Sequence, residues 1–135
     1  MRDILQVFMT NLPEAAAVVL FGIGLGNLIL AKNLIKKIIG LNIMDSSVYL
    51  FLAAKGYIAG RAAPIIDPSV PVDTSLYIDP IPTGLVLTGI VVSVSVTAFL
   101  LALTVRLYER FGTIDIDQIL IDLKKIEKQE DEEWT

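Results

Sequence analysis

The sequence predicts an all-α integral membrane protein. It has three transmembrane helices, the N-terminus outside and the C-terminus in the cytoplasm, with a short amphipathic helix on the cytoplasmic side. Three observations predict this. The 135-residue chain is 54% hydrophobic, above the roughly 45–50% of ordinary soluble domains. The apolar residues are gathered into three blocks, while the charges are pushed to the ends and connections, as a bilayer requires. Lysine and arginine are also shared unequally between the two sides that three spans define.

The first block, Ala15–Ala31, carries no charge; with Asn11–Pro13 before it and Lys32 after it, it is long enough to span. It begins after Glu14 and is followed by no A-x-A-like site, so it reads as a retained helix and not a cleaved signal. The second, Ile38–Ala54, follows Lys36 and Lys37, ends at Lys55 and holds one charge, Asp45. The third has no charged residue from Pro80 to Val105 and is closed by Arg106 and Arg110; it allows a tilted span. The expected helices lie at about 14–32, 34–55 and 80–108. They form a transmembrane domain over residues 1–110, followed by a tail over 111–135.

Only Lys32–Lys37 separates the first two spans, so they form a tight hairpin. Residues 56–79, with Gly60, Pro64, Pro68, Pro71, Asp67, Asp73 and Asp79, read as an irregular outer loop. Lys32, Lys36 and Lys37 share a side with Arg106, Arg110, Lys124, Lys125 and Lys128, against Arg2, Lys55 and Arg61 on the other. The positive-inside rule then sets the orientation. Beyond Gly112, Asp115 or Asp117 can cap a new helix, and Ile116, Ile119, Leu120, Leu123 and Ile126 recur on one face. This tail is either a solvated extension or a docking element for a neighbouring subunit or the membrane surface.

The chain has no cysteine and no histidine, which leaves no ordinary means of thiolate, iron–sulfur, zinc or haem chemistry. It shows no triad, no phosphate loop and no basic stripe with aromatics. No catalytic residue, metal, cofactor or nucleic-acid partner is therefore expected, and the chain is not an enzyme by itself.

Asp45 carries the most information. A carboxylate at mid-bilayer depth costs roughly 2.5–3.5 kcal/mol even on lenient scales, so it must face protein or water. It either takes part in ion or proton transfer or fixes helix packing. Asn42, three residues earlier, shares its face, with Ser46 and Tyr49 on or near it; these line a hydrated strip or bond between helices. Asn27 is read as a packing residue, and Gly22 and Gly26 form a G-x-x-x-G pair that allows close helix approach. The hydroxyls of Thr83, Thr88, Ser93, Ser95, Thr97 and Thr104 can bond back to their own helix. Lys55 reaches for the interface.

Residues 33–54, NLIKKIIGLNIMDSSVYLFLAA, and 79–117, with the DPIP entry and the LVLT start of helix three, resemble the C subunit of Mrp-type multi-subunit sodium/proton antiporters. That protein is similar to the K subunit of complex I and to its counterpart in membrane-bound hydrogenases. The resemblance implies a small membrane subunit of a cation/proton-translocating complex. Its partners would be other membrane subunits and the lipid bilayer of the cell membrane, with protons and Na+ as the ions. A membrane component coupling a redox-driven pump, and a purely structural linker, are the alternatives. In the complex I relatives helix two carries the glutamate of G-L-E-I-M, which corresponds to Asn42 here, with the acid one turn later at Asp45. Their helix-three glutamate corresponds to Ser95. With Ser46 from the polar strip on helix two, the expected ion or proton path is Asp45, Asn42, Ser46 and Ser95, in which the resemblance implies Asp45 as a single link or a helper to acids of a neighbouring subunit.

Overall fold

The computed structural model describes residues 2–65, 71 and 73–133. Part of the expected outer loop, including Asp67 and Pro68, lies outside them. Four α-helices follow in order: α1 (Arg2–Leu30), α2 (Leu34–Gly56), α3 (Pro80–Phe111) and α4 (Ile116–Glu133). A 3-10 turn, Thr74–Leu76, precedes α3. Segments of three of these helices are long and apolar enough to cross a membrane: Asn11–Leu30, Leu34–Gly56 and Pro80–Phe111. The chain is therefore an all-helical membrane protein.

α1 begins at Arg2 rather than near residue 14. The charge-free block understates the helix because Arg2, Asp3 and Glu14 interrupt hydropathy without interrupting helix formation. Pro13 lies inside α1, where it removes one backbone donor.

The three apolar helices stand in a row with α2 in the middle. α2 packs along α1 on one side and α3 on the other, while α1 and α3 have little contact with each other. Such a row leaves wide faces of Val, Ile and Leu uncovered. Glycine decides how closely α1 and α2 approach. A Cβ on Gly24 would sit 2.7 Å from the Met44 nitrogen and 2.8 Å from the Gly40 oxygen; one on Gly40 would sit 2.8 Å from the Leu28 nitrogen. Gly22 and Gly26, the pair expected to allow close approach, meet nothing of the chain within 4 Å. At 100° per residue they lie opposite Gly24, on the side of α1 turned away from α2.

The α1–α2 turn is built from polar side chains. Asn33 caps α2, its side chain accepting from the Ile35 and Lys36 amides. Asn27 Nδ2 donates to the Lys36 carbonyl at 3.1 Å, and Lys37 Nζ donates to the Leu28 carbonyl at 2.7 Å. The Lys37 bond supplies a partner to a helix-end carbonyl that lacks an intrahelical one. At the other end of this pair Lys55 meets Glu14 at 2.9 Å, so its ammonium joins a carboxylate of α1 as well as reaching outward.

α3 starts at Asp79, whose side chain accepts from the Ile81 amide, with Pro80 in the first turn. It ends at Gly112, whose φ of 68° is the left-handed conformation that glycine adopts without strain. The chain then turns back onto the α1–α2 turn. The Leu34 amide donates to the Ile114 carbonyl and the Ile116 amide to the Lys32 carbonyl, each at 3.0 Å. This pairs Asn33 with Asp115 in an antiparallel bridge. Asp115 accepts from the Asp117 amide as α4 begins, and Lys32 Nζ lies 2.6 Å from Asp117 Oδ2. The foot of the tail is thereby held on the chain's own hairpin, with Ile119 buried beneath it.

This packing makes the two glycine positions unequal. Gly24→Ala forces the α1 and α2 backbones apart and lowers thermal stability by about 1–3 kcal/mol, whereas Gly22→Ala changes it by no more than about 0.5 kcal/mol; melting of the purified protein compares them. The tie at the foot of α4 responds to pH. The hydrogen bond to Asp117, followed by that carboxylate's charge, holds the Lys32 ammonium above its ordinary value of 10.5. A raised value means the tie is at full strength below pH 10.5 and weakens as pH rises through the folded-state value. Spin labels on Ala31→Cys and Ile121→Cys should keep a narrow distance distribution in mildly alkaline buffer and a broader one above that point.

Candidate functional site

The polar residues of α2 fall on two sides. Ser47, 1% exposed, faces α1 and donates to its own helix at the Met44 carbonyl. Asn42, Asp45 and Tyr49, spaced three and four residues apart, form a stripe toward α3. Gly89, Ser93 and Thr97 present the matching stripe at four-residue spacing. The two helices run antiparallel, so the stripes meet in register. Ser93 Oγ donates to Asp45 Oδ2 at 2.6 Å. One turn away, Thr97 Oγ1 donates to Asn42 Oδ1 at 2.7 Å. Tyr49 lies over Gly89, where a Cβ would sit 2.6 Å from its ring.

These contacts border an open groove of about 640 Å³. Asn42, Ser46, Tyr49, Ser93 and Thr97 supply its polar lining, with Ile90, Val94, Ala98 and Leu101 between them. Asp45 is half-buried and meets the groove through Ser93, which is part of the lining. The carboxylate thus has a short hydrogen bond from a hydroxyl that itself faces the open volume. In a low-dielectric span such a bond is stronger than in water.

Ser46 lines the same groove and donates to the Asn42 carbonyl at 2.8 Å. Ser95 lies apart. It is exposed and donates to the Val91 carbonyl of its own helix at 2.9 Å, two residues from Ser93 and so on the opposite side of α3. Gly22 and Gly26 are on α1's far side, and Asn27 belongs to the turn. Ser93, Thr97 and Gly89 are the members that sequence reasoning did not single out. Their common spacing, one small or hydroxyl residue per turn, was the available signal. Thr88, Ser95 and Thr104 bond back to Gly84, Val91 and Leu100, whereas Ser93 and Thr97 bond across.

A carboxylate held between two apolar helices, in a row of spans beside an open groove of mixed lining, defines a small polytopic membrane protein built around a polar intramembrane seam. The chain belongs to the NADH-ubiquinone/plastoquinone oxidoreductase chain 4L family, whose profile matches residues 12–122. It is 36% identical over 117 residues to the C1 subunit of the Na(+)/H(+) antiporter of Staphylococcus saprophyticus, covering 87% of this chain and 91% of that protein. It is 36% identical over 111 residues to the C subunit of the Na(+)/H(+) antiporter of Alkalihalophilus pseudofirmus, covering 82% and 95%. Among solved structures, a chain of the membrane-bound sulfane sulfur reductase, an archaeal respiratory membrane complex, aligns with a TM-score of 0.69 and 43% identity over 78% of this chain and 94% of that one. A chain of the Mrp complex from a Dietzia species aligns with a TM-score of 0.58 and 30% identity over 76% and 73%. The resemblance read from residues 33–54 and 79–117 agrees with these matches.

Because the chain has no native cysteine, single substitutions report access cleanly. Ser46→Cys is expected to react with a water-soluble maleimide in membranes, and Ser47→Cys to stay unlabelled. Equal labelling, or none at either site, would mean that the groove is not a distinct wet surface.

Proposed function

We propose that this chain is a small membrane subunit of a multi-subunit cation/proton-translocating complex, in which the Asp45 site is one link of the ion or proton path. The observation that carries the reading is the 2.6 Å bond from Ser93 to Asp45 beside the groove. An ionisable group inside a span is costly and usually functional. This one has a hydroxyl partner that bridges it to open volume, with Asn42 and Thr97 continuing the polar line. The antiporter relatives support Na+ and protons as the ions. The chain does no covalent chemistry; its part is to hold a titratable oxygen at the right depth. Residues from neighbouring membrane subunits complete the path, which fits a row of helices better than a closed bundle.

The orientation in this reading places the α1–α2 turn, Arg106, Arg110 and α4 in the cytoplasm, and the Glu14–Lys55 end outside. The bridge between Asn33 and Asp115 supports it, because it gathers Lys32, Lys36, Lys37 and the tail at one end, as the positive-inside rule prefers.

A second reading has its own observation. The 43% identity to the sulfane sulfur reductase chain favours a complex in which electron transfer elsewhere drives the same membrane step. The role of this chain is then unchanged, and the energy source differs.

The test is ion transport by the assembled complex in sealed vesicles. Asp45→Asn should abolish coupled transport while assembly persists. Ser93→Ala removes a hydrogen bond to a carboxylate worth about 1.5–3 kcal/mol and should slow transport roughly tenfold. Ser95→Ala should leave the rate unchanged. Full transport by Asp45→Asn would reduce the site to a packing contact.

A further inference from the structure

α4 leaves one face uncovered. Ile119 is 5% exposed on the chain's own surface, but Leu120, Leu123 and Ile126, which continue that face along the helix, are 51%, 42% and 38% exposed. Leu123 and Ile126 lie beyond residue 122, where the family match ends. The charges beside that face are arranged unequally. At 100° per residue Glu127 falls on the apolar face, one turn after Leu123, and Lys124 at its edge beside Leu120, while Lys125 and Lys128 fall on the opposite side, where Lys125 is paired with Asp122 at 3.3 Å. Beyond Glu127 the sequence adds Glu130, Asp131, Glu132 and Glu133 against the single Lys128.

An amphipathic helix on a cytoplasmic membrane surface faces anionic lipid. Laying this stripe on the bilayer would press Glu127 toward that negative surface and turn Lys125 and Lys128 away from it. A protein groove with an apolar floor and a basic end reverses both costs. The helix is also aimed, since the Asn33–Asp115 bridge and the Lys32–Asp117 pair hold its first turn.

We propose that the outer half of α4 docks on another subunit of the same complex, inserting Leu120, Leu123 and Ile126 into an apolar groove whose far end carries lysine or arginine for Glu127. This rests on the subunit reading above and adds the surface and the chemistry of its partner. The test uses the whole complex, isolated through a tag on this chain after photo-crosslinking in native membranes. A benzoylphenylalanine at Leu123 should yield a crosslinked peptide of a different subunit with lysine or arginine nearby. The same probe at Ile121, on the other side of the helix, should yield none. Adding Glu127→Lys should lower the Leu123 crosslink at least about fivefold, because it sets like charges together. Recovery of the other subunits with crosslinks only to lipid, to a second copy or within the chain would overturn this inference and leave the subunit reading standing. Recovery of the chain with no other subunit would overturn both.

Discussion

Inside hydrocarbon, a polar group must find its partner within the protein. α2 carries Asn42, Asp45, Ser46, Ser47 and Tyr49 in its middle turns, more polar groups than either neighbour places at that depth. A helix of this kind cannot stand at the edge of an assembly with all its sides toward lipid. It sits between α1 and α3, and the rest of the architecture is arranged around its two packed sides.

Those sides are closed by different means. Toward α1 the contact is backbone on backbone at Gly24 and Gly40, a geometry that gains from dispersion and small residues because lipid supplies no hydrophobic drive between helices. Toward α3 the contact is hydroxyl to carboxylate and hydroxyl to amide. The first is rigid, since neither backbone can yield. The second is made of side chains that can exchange hydrogen-bond partners. The hairpin turn and the foot of α4 are tied together at one end, so the tail is held in a defined relation to the spans it follows.

Much of the fold was legible in the sequence. Apolar blocks bounded by charges mark three spans, Gly112 marks the end of the third, and of the two possible caps for α4, Asp115 and Asp117, Asp115 is the one used. The start of α1 was less legible, because Arg2, Asp3 and Glu14 belong to a helix but not to its apolar segment. The site was half legible. Asp45 and Asn42 stand out because polarity in a span is rare. Which hydroxyls of α3 meet them depends on the rotation of α3 about its axis, and that is set by packing. Ser93 and Ser95 differ by two residues and face opposite ways. The same limit applies to the glycines: Gly22, Gly24 and Gly26 all permit close approach, and only the facing helix selects Gly24.

Whether Asp45 changes its protonation as ions move is tested most directly by infrared difference spectroscopy of the reconstituted complex as a pH or Na+ gradient is applied. A proton-carrying Asp45 predicts a carboxyl C=O band that responds to the gradient, shifts when Ser93 is replaced by alanine, and disappears in Asp45→Asn. A spectrum with no carboxyl change at Asp45 during transport would contradict that role.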